Sequence, residues 1–134
     1  MKKLLWLLLL GFIFASCKDT VVQPDELVGN WQSEEIYANG KLQEDISKST
    51  WLGIRKDKSY YKNYTAGNWS VDGKRLVLSP DGMSSTTLLD YKVVEHTKDR
   101  LTLEVVLTQR DYFMKFDGVD DNEQVTIVEK YRKR

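Results

Sequence analysis

The chain has 134 residues with 20 Lys or Arg, 20 Asp or Glu, one His and one Cys. That length suits a single core and not two. Both signs of charge are interspersed, which excludes a nucleic-acid binder with its one-sided basic face; a lone cysteine and a lone histidine exclude a disulfide framework and a zinc site.

Lys2-Lys3, the apolar run Leu4–Phe14 and the small residues Ala15-Ser16 before Cys17 have the three-part form of an export signal. The run is 11 residues long. A bilayer-spanning helix needs roughly 20, so this is a signal core and not an anchor in its own right. Phe14-Ala15-Ser16-Cys17 resembles the bacterial lipobox. The resemblance implies a signal peptide over residues 1–16 and a lipid on Cys17, which becomes the first residue of the mature chain. It also accounts for an exported cysteine that has no disulfide partner. Losing Lys2 and Lys3 leaves 18 basic against 20 acidic side chains, a balance of −2. Residues 17–26, polar and punctuated by Pro24, predict a tether ahead of a domain over 27–134. The expected location is the bacterial cell envelope, with the outer membrane favoured; Lys18-Asp19-Thr20 leave the leaflet open.

Beyond the leader no helical period persists, and alternation recurs with turn signals every eight to twelve residues, the spacing of sandwiches and barrels. Eight strand-like segments follow in order: A, Val28–Tyr37; B, Thr50–Arg55; C, Ser59–Tyr64; D, Gly67–Val71; E, Arg75–Ser79; F, Thr86–Glu95; G, Arg100–Gln109; H, Glu123–Arg132. Asp72-Gly73 marks a hairpin because both residues tolerate positive φ. Segment G alternates most cleanly, with Leu101, Leu103, Val105 and Leu107 on one face. In an up-and-down meander the tight B–C, D–E and F–G turns fall at one end, and the longer A–B, E–F and G–H connections at the other. That asymmetry describes an all-β, eight-stranded antiparallel barrel with a mouth. Such a barrel either fills with side chains or holds one small ligand.

Several stretches together resemble the lipocalin-like domains of bacterial envelope lipoproteins: the leader ending in Cys17, Leu27-Val28-Gly29-Asn30-Trp31, Lys56-Asp57-Lys58-Ser59-Tyr60, and Gly67-Asn68-Trp69-Ser70-Val71 followed by Asp72-Gly73-Lys74-Arg75-Leu76. Order and spacing carry the likeness, which spans the mature domain. It implies a calycin-type barrel and carriage of a small apolar molecule, the fold more firmly than the function. It also implies that Trp31, after Gly29, plugs the closed end beneath a basic residue from the last strand. Closure of an even number of strands makes Arg132 the first candidate for that cover and Lys130 the second.

Alternation places Trp31 and Tyr60 low in the barrel, Tyr91 between, and Tyr37, Tyr64, Trp69, Leu89, Leu107 and Val125 toward the mouth as candidate ligand contacts. The same side chains can instead fill the barrel, and Trp69 can be core. Tyr112, Phe113, Met114 and Phe116 beside the G–H connection form either a lid or docking patch, or an extension of segment G with Phe113 inward. His96 sits in a turn without triad partners, and Glu34-Glu35 and Asp120-Asp121 read as solvated charges. Asp117, Asp120, Asp121 and Glu123 miss the spacing of a calcium loop. The expectation is a non-catalytic, membrane-anchored binding module with no cofactor, metal or nucleic acid, its partner a small apolar ligand. The alternative is an envelope interaction or inhibitor-like module with a filled barrel.

Overall fold

Period-two alternation carries most of the chain into one antiparallel sheet. The structure is a computed structural model that describes residues 21–82 and 88–134. The expected signal peptide, Cys17 and the start of segment F lie outside the described residues. The strands are β1 (Gly29–Ala38), β2 (Lys41–Leu42), β3 (Trp51–Ile54), β4 (Ser59–Lys62), β5 (Thr65–Asp72), β6 (Arg75–Pro80), β7 (Leu89–His96), β8 (Arg100–Thr108) and β9 (Gln124–Lys133). β2 folds back on the end of β1, and the other eight form a meander that closes when β9 pairs with β1, Trp31 opposite Lys133 and Ala38 opposite Ile127. Closure leaves none of the eight as a free edge. The expected eight-stranded barrel is therefore the observed architecture.

The β3–β4, β5–β6 and β7–β8 turns gather at one end, while the two-residue Asn63-Tyr64 turn between β4 and β5, which the sequence reads as an intermediate connection, lies at the other. Between β5 and β6 the central residues are Gly73 and Lys74, and only Gly73 has a positive φ, at +60°. One positive φ at the first central position is the requirement of a glycine-led hairpin turn. The chain entering the barrel covers this end. Pro24–Leu27 forms a single helical turn, α1, opened by Pro24, with the Glu26 carboxylate accepting from the Gln23 N–H at 3.0 Å. Val22 and Leu27 are buried, and the Val22 N–H donates to the Gly73 carbonyl at 3.1 Å. The segment expected to be a tether through residue 26 is thus already packed against the barrel from Val22.

Trp31 fills the closed end, 1% exposed, its indole N–H donating to the Leu27 carbonyl at 2.9 Å. The cation across its ring is Lys133, at 5.2 Å, and not Arg132. The register decides this: Lys133 lies directly opposite Trp31 and shares its face, whereas Arg132 points outward and pairs with Glu34 at 2.7 Å. Lys130 is also on the outer face, with Glu35 at 3.1 Å. Gly29, at φ +148°, leaves the space that the Lys133 stem occupies. In the second Gly-Asn-Trp stretch the reason for glycine differs, since a Cβ on Gly67 would collide with the Ser79 carbonyl of the paired strand.

Two bulges reset the alternation. One between Ser33 and Glu35 puts both Glu34 and Glu35 outside and turns Ile36 and Ala38 inward. Tyr37, expected to face inward, consequently lies outside, where its hydroxyl donates to Glu35 and its ring faces Lys130. The other lies between Val93 and Glu95 on β7. In β8 the predicted face holds, with Leu101, Leu103, Val105 and Leu107 all buried.

Candidate functional site

The end opposite Trp31 carries a cavity of about 320 Å³. Its walls come from the β4–β5 hairpin, the β6 and β7 edges at Pro80 and Leu89, and the segment after β8, with Phe113 in one wall and Arg110 and Asp111 at the rim. That size lies at the lower end of small-molecule sites, which run from roughly 300 to 1,000 Å³.

Strand register sets the floor. Lys62 ends β4, two residues beyond inward-facing Tyr60, and so points into the barrel with only 4% of its side chain exposed. Glu129 stands on β9 between inward-facing Ile127 and Tyr131 and is fully buried. Their charged ends meet at 2.6 Å. Lys62 also donates to the Tyr91 hydroxyl at 2.7 Å. Tyr112 donates to Glu129 Oε1 at 2.6 Å and Tyr131 to Oε2 at 2.7 Å, so both carboxylate oxygens are engaged. Tyr91, Tyr112 and Phe113 turn their rings toward the ammonium at 5.1, 5.3 and 5.2 Å. A buried ion pair persists only when the surrounding groups replace its water, and here three phenols and the ring faces do so.

The same environment keeps the phenols protonated. Burial, reinforced by the Glu129 charge, raises the hydroxyls of Tyr91, Tyr112 and Tyr131 well above the ordinary phenol range. Burial pulls the Lys62 ammonium down, and Glu129 opposes that shift. The floor is therefore a hydrogen-bonded cluster of zero net charge; among the described residues no group of three or more His, Cys, Asp or Glu could hold an ion.

Tyr112 reaches the floor because the connection after β8 folds back across the mouth. Gln109, itself fully buried, clamps it: its side-chain N–H donates to the Met114 carbonyl at 2.8 Å, and its side-chain oxygen accepts from the Phe116 N–H at 3.0 Å. Tyr112 then stacks on Phe116 at 5.3 Å. β8 stops at Thr108, so of the two alternatives the extension of that strand does not occur. The aromatic cluster caps the barrel, with Tyr112 and Phe116 buried and Phe113 at 42% exposure.

Of the six candidate contacts, Tyr64 and Leu89 line the cavity. Tyr64 does so from the apex of the Asn63-Tyr64 turn, fully exposed, and not as the inward strand residue expected. Asn63 adopts a φ of +50° and ends β4 one residue after Lys62. Leu107 and Val125 are buried core residues outside the cavity lining, and Tyr37 is on the outer surface. Trp69 is buried in the closed half, its indole N–H donating to the Arg55 carbonyl at 2.8 Å under the Lys58 ammonium at 4.3 Å. It sits deeper than expected because β5 begins at Thr65, two residues before the predicted start. Sequence reasoning missed Lys62 and Glu129, and named Tyr112 only within the lid, docking patch or strand extension beside the G–H connection. The signal for the first two was their parity with Tyr60 and Ile127.

His96 lies at the closed end, 2.9 Å from Glu26, far along β7 from this floor. Glu34 pairs with Arg100 and Arg132, and Asp121 with Lys115, as surface charges do.

No protein-family model and no curated protein matches the chain. Solved structures match in shape. A lipocalin-like protein from Bacteroides uniformis ATCC 8492 superposes with a TM-score of 0.52 at 17% identity, over 81% of this chain and 99% of its own. An uncharacterized protein from Bacteroides eggerthii DSM 20697 reaches 0.49 at 17% identity, covering 80% of this chain and 98% of that one. Odorant Binding Protein OBP1 reaches 0.49 at 12% identity, covering 86% and 76%. The first of these, together with the closed eight-stranded meander, assigns the chain a lipocalin-like, calycin-type β-barrel fold.

Proposed function

We propose that this is a lipid-anchored protein of the bacterial cell envelope that binds a small hydrophobic molecule at the mouth of its barrel without catalysing a reaction on it. The observation that carries the binding role is the cavity of about 320 Å³, walled by Leu89, Pro80 and Phe113 above a polar floor. An interaction module with a filled barrel would leave no such space, and here the side formed by β4 to β7 is open above Lys62 and Tyr91, although Leu107 and Val125 fill the β8–β9 side. The lipocalin-like fold supports the same reading by analogy. Anchoring rests on the lipobox resemblance at Cys17 and on the position of Val22, which brings the chain to the closed end and leaves the mouth facing away from the attachment point.

Native mass spectrometry of the chain from residue 18 onward, after exposure to an extract of apolar metabolites, tests the binding role; no retained mass would sink it. Tryptophan emission is a poor reporter here, since none of Trp31, Trp51 and Trp69 lines the cavity. For the anchor, Cys17→Ser should abolish incorporation of labelled palmitate and release the protein from membranes. Continued labelling of that variant would remove Cys17 as the attachment site.

A further inference from the structure

The floor of the cavity sets the chemistry of what it can accept. The Lys62 ammonium has three N–H bonds. Two have acceptors among the described residues, Glu129 Oε1 at 2.6 Å and the Tyr91 hydroxyl at 2.7 Å. Tyr112 and Phe113, whose rings lie 5.3 and 5.2 Å from it, line the cavity with it. A donor buried to 96%, with two acceptors among the described residues for three N–H bonds, has room for one more acceptor.

Charge narrows the choice. Lys62 and Glu129 cancel, so a carboxylate arriving at the floor would bring a second anion beside Glu129 with no second buried cation to match it. A ligand ammonium would meet Lys62 in the same low-dielectric space. Ligand donors fare poorly as well, because Glu129 already accepts from Lys62, Tyr112 and Tyr131. What the Lys62 ammonium favours is an acceptor without charge.

We infer that the site takes a neutral apolar molecule bearing a single carbonyl, a ketone or ester, with the oxygen on the Lys62 ammonium and the hydrocarbon or ring against Leu89, Pro80 and Phe113. This rests on the binding role proposed above and narrows it to a ligand class. Fatty acids and amines of the same size are excluded from the floor, although their apolar portions would fit the walls.

Four matched probes separate the possibilities: butylbenzene, butyrophenone, 4-phenylbutyrate and 4-phenylbutylammonium, titrated into isotope-labelled protein at pH 7 and followed by amide chemical shifts. Butyrophenone should bind at least about tenfold more tightly than butylbenzene, the effect of one charge-assisted hydrogen bond, and at least about tenfold more tightly than either ion. In the charge-neutral double variant Lys62→Met with Glu129→Gln, the ratio of ketone to hydrocarbon affinity should fall to about one. Equal affinities for ketone and hydrocarbon in the parent, or tightest binding of the carboxylate, would overturn the inference while leaving the binding role intact. Failure of all four probes, butylbenzene included, would remove the binding role and the inference with it. The parent series decides the question by itself if the double variant does not fold.

Discussion

Lys62 and Glu129, 67 positions apart in the chain, place their charged ends 2.6 Å from each other inside the barrel, at 4% and 0% exposure. The contact ties the end of β4 to β9 across the interior and divides the barrel in two. Toward the closed end the filling is led by Trp31, Tyr60 and Trp69; toward the mouth lies the cavity. On the β4 side the pair is the floor of the site, while buried Ile127, Val125 and Leu107 continue the core toward the mouth on β8 and β9; removal of the pair tests both.

Removing one partner should be far worse than removing both. Lys62→Met alone leaves the Glu129 carboxylate buried without a cation, which costs about 3–5 kcal/mol. Adding Glu129→Gln withdraws the stranded charge while keeping an oxygen for the tyrosine hydroxyls, and stability should return to within about 2 kcal/mol of the parent. Urea denaturation of the parent, both single variants and the double variant measures the coupling directly. Losses that simply add would mean that the two groups do not depend on each other.

Much of this was legible in the sequence, because the barrel follows from alternation and turn spacing, and both survive errors of a residue or two. Side-chain direction does not. The bulge after Ser33 flips Tyr37 outward, and the turn at Asn63 frees Tyr64 from its strand; each is a one-residue event that reverses a face. Arg132 and Lys133 are adjacent, and only the register opposite Trp31 distinguishes the inward from the outward cation. Lys62 and Glu129 were readable in principle, since each continues an inward series. An inward charge is implausible until its partner is found, and partners this far apart in sequence become visible only once the sheet is closed. The placement of Tyr112 was out of reach altogether, as it depends on the Gln109 side chain bonding the backbone at Met114 and Phe116.

The closed end separates packing from charge. Trp31→Ala should cost about 3–5 kcal/mol, the range for deleting a fully buried large aromatic side chain. Lys133→Ala should cost about 0.5–1 kcal/mol through the lost cation–ring contact and stem packing. Arg132→Ala removes only an exposed pair with Glu34 and should stay within about 1 kcal/mol of the parent. Thermal melts of the three variants give the order, and a larger loss for Arg132 than for Lys133 would contradict the observed register.

The phenol cluster should make the protein labile to alkali. Tyr91, Tyr112 and Tyr131 hold their protons in the folded barrel well above the ordinary phenol range, while in the unfolded chain they lose them from about pH 10. Above that pH the folded state binds more protons than the unfolded one, so stability falls as pH rises, by up to about 1.4 kcal/mol per pH unit for each such tyrosine. Lys62 acts in the opposite direction. Its lowered folded value means that the unfolded chain holds the extra proton between that value and about pH 10.4, so Lys62 adds stability as pH rises through that window and nothing beyond it. Three tyrosines against one lysine leave a net loss. Urea midpoints should fall steeply above pH 10. Tyr131→Phe removes one titrating group while leaving Glu129 its bonds to Lys62 and Tyr112, so the alkaline fall should be shallower in that variant at the cost of a lower plateau. An alkaline slope unchanged by Tyr131→Phe would show that the Tyr131 proton does not distinguish the folded from the unfolded chain.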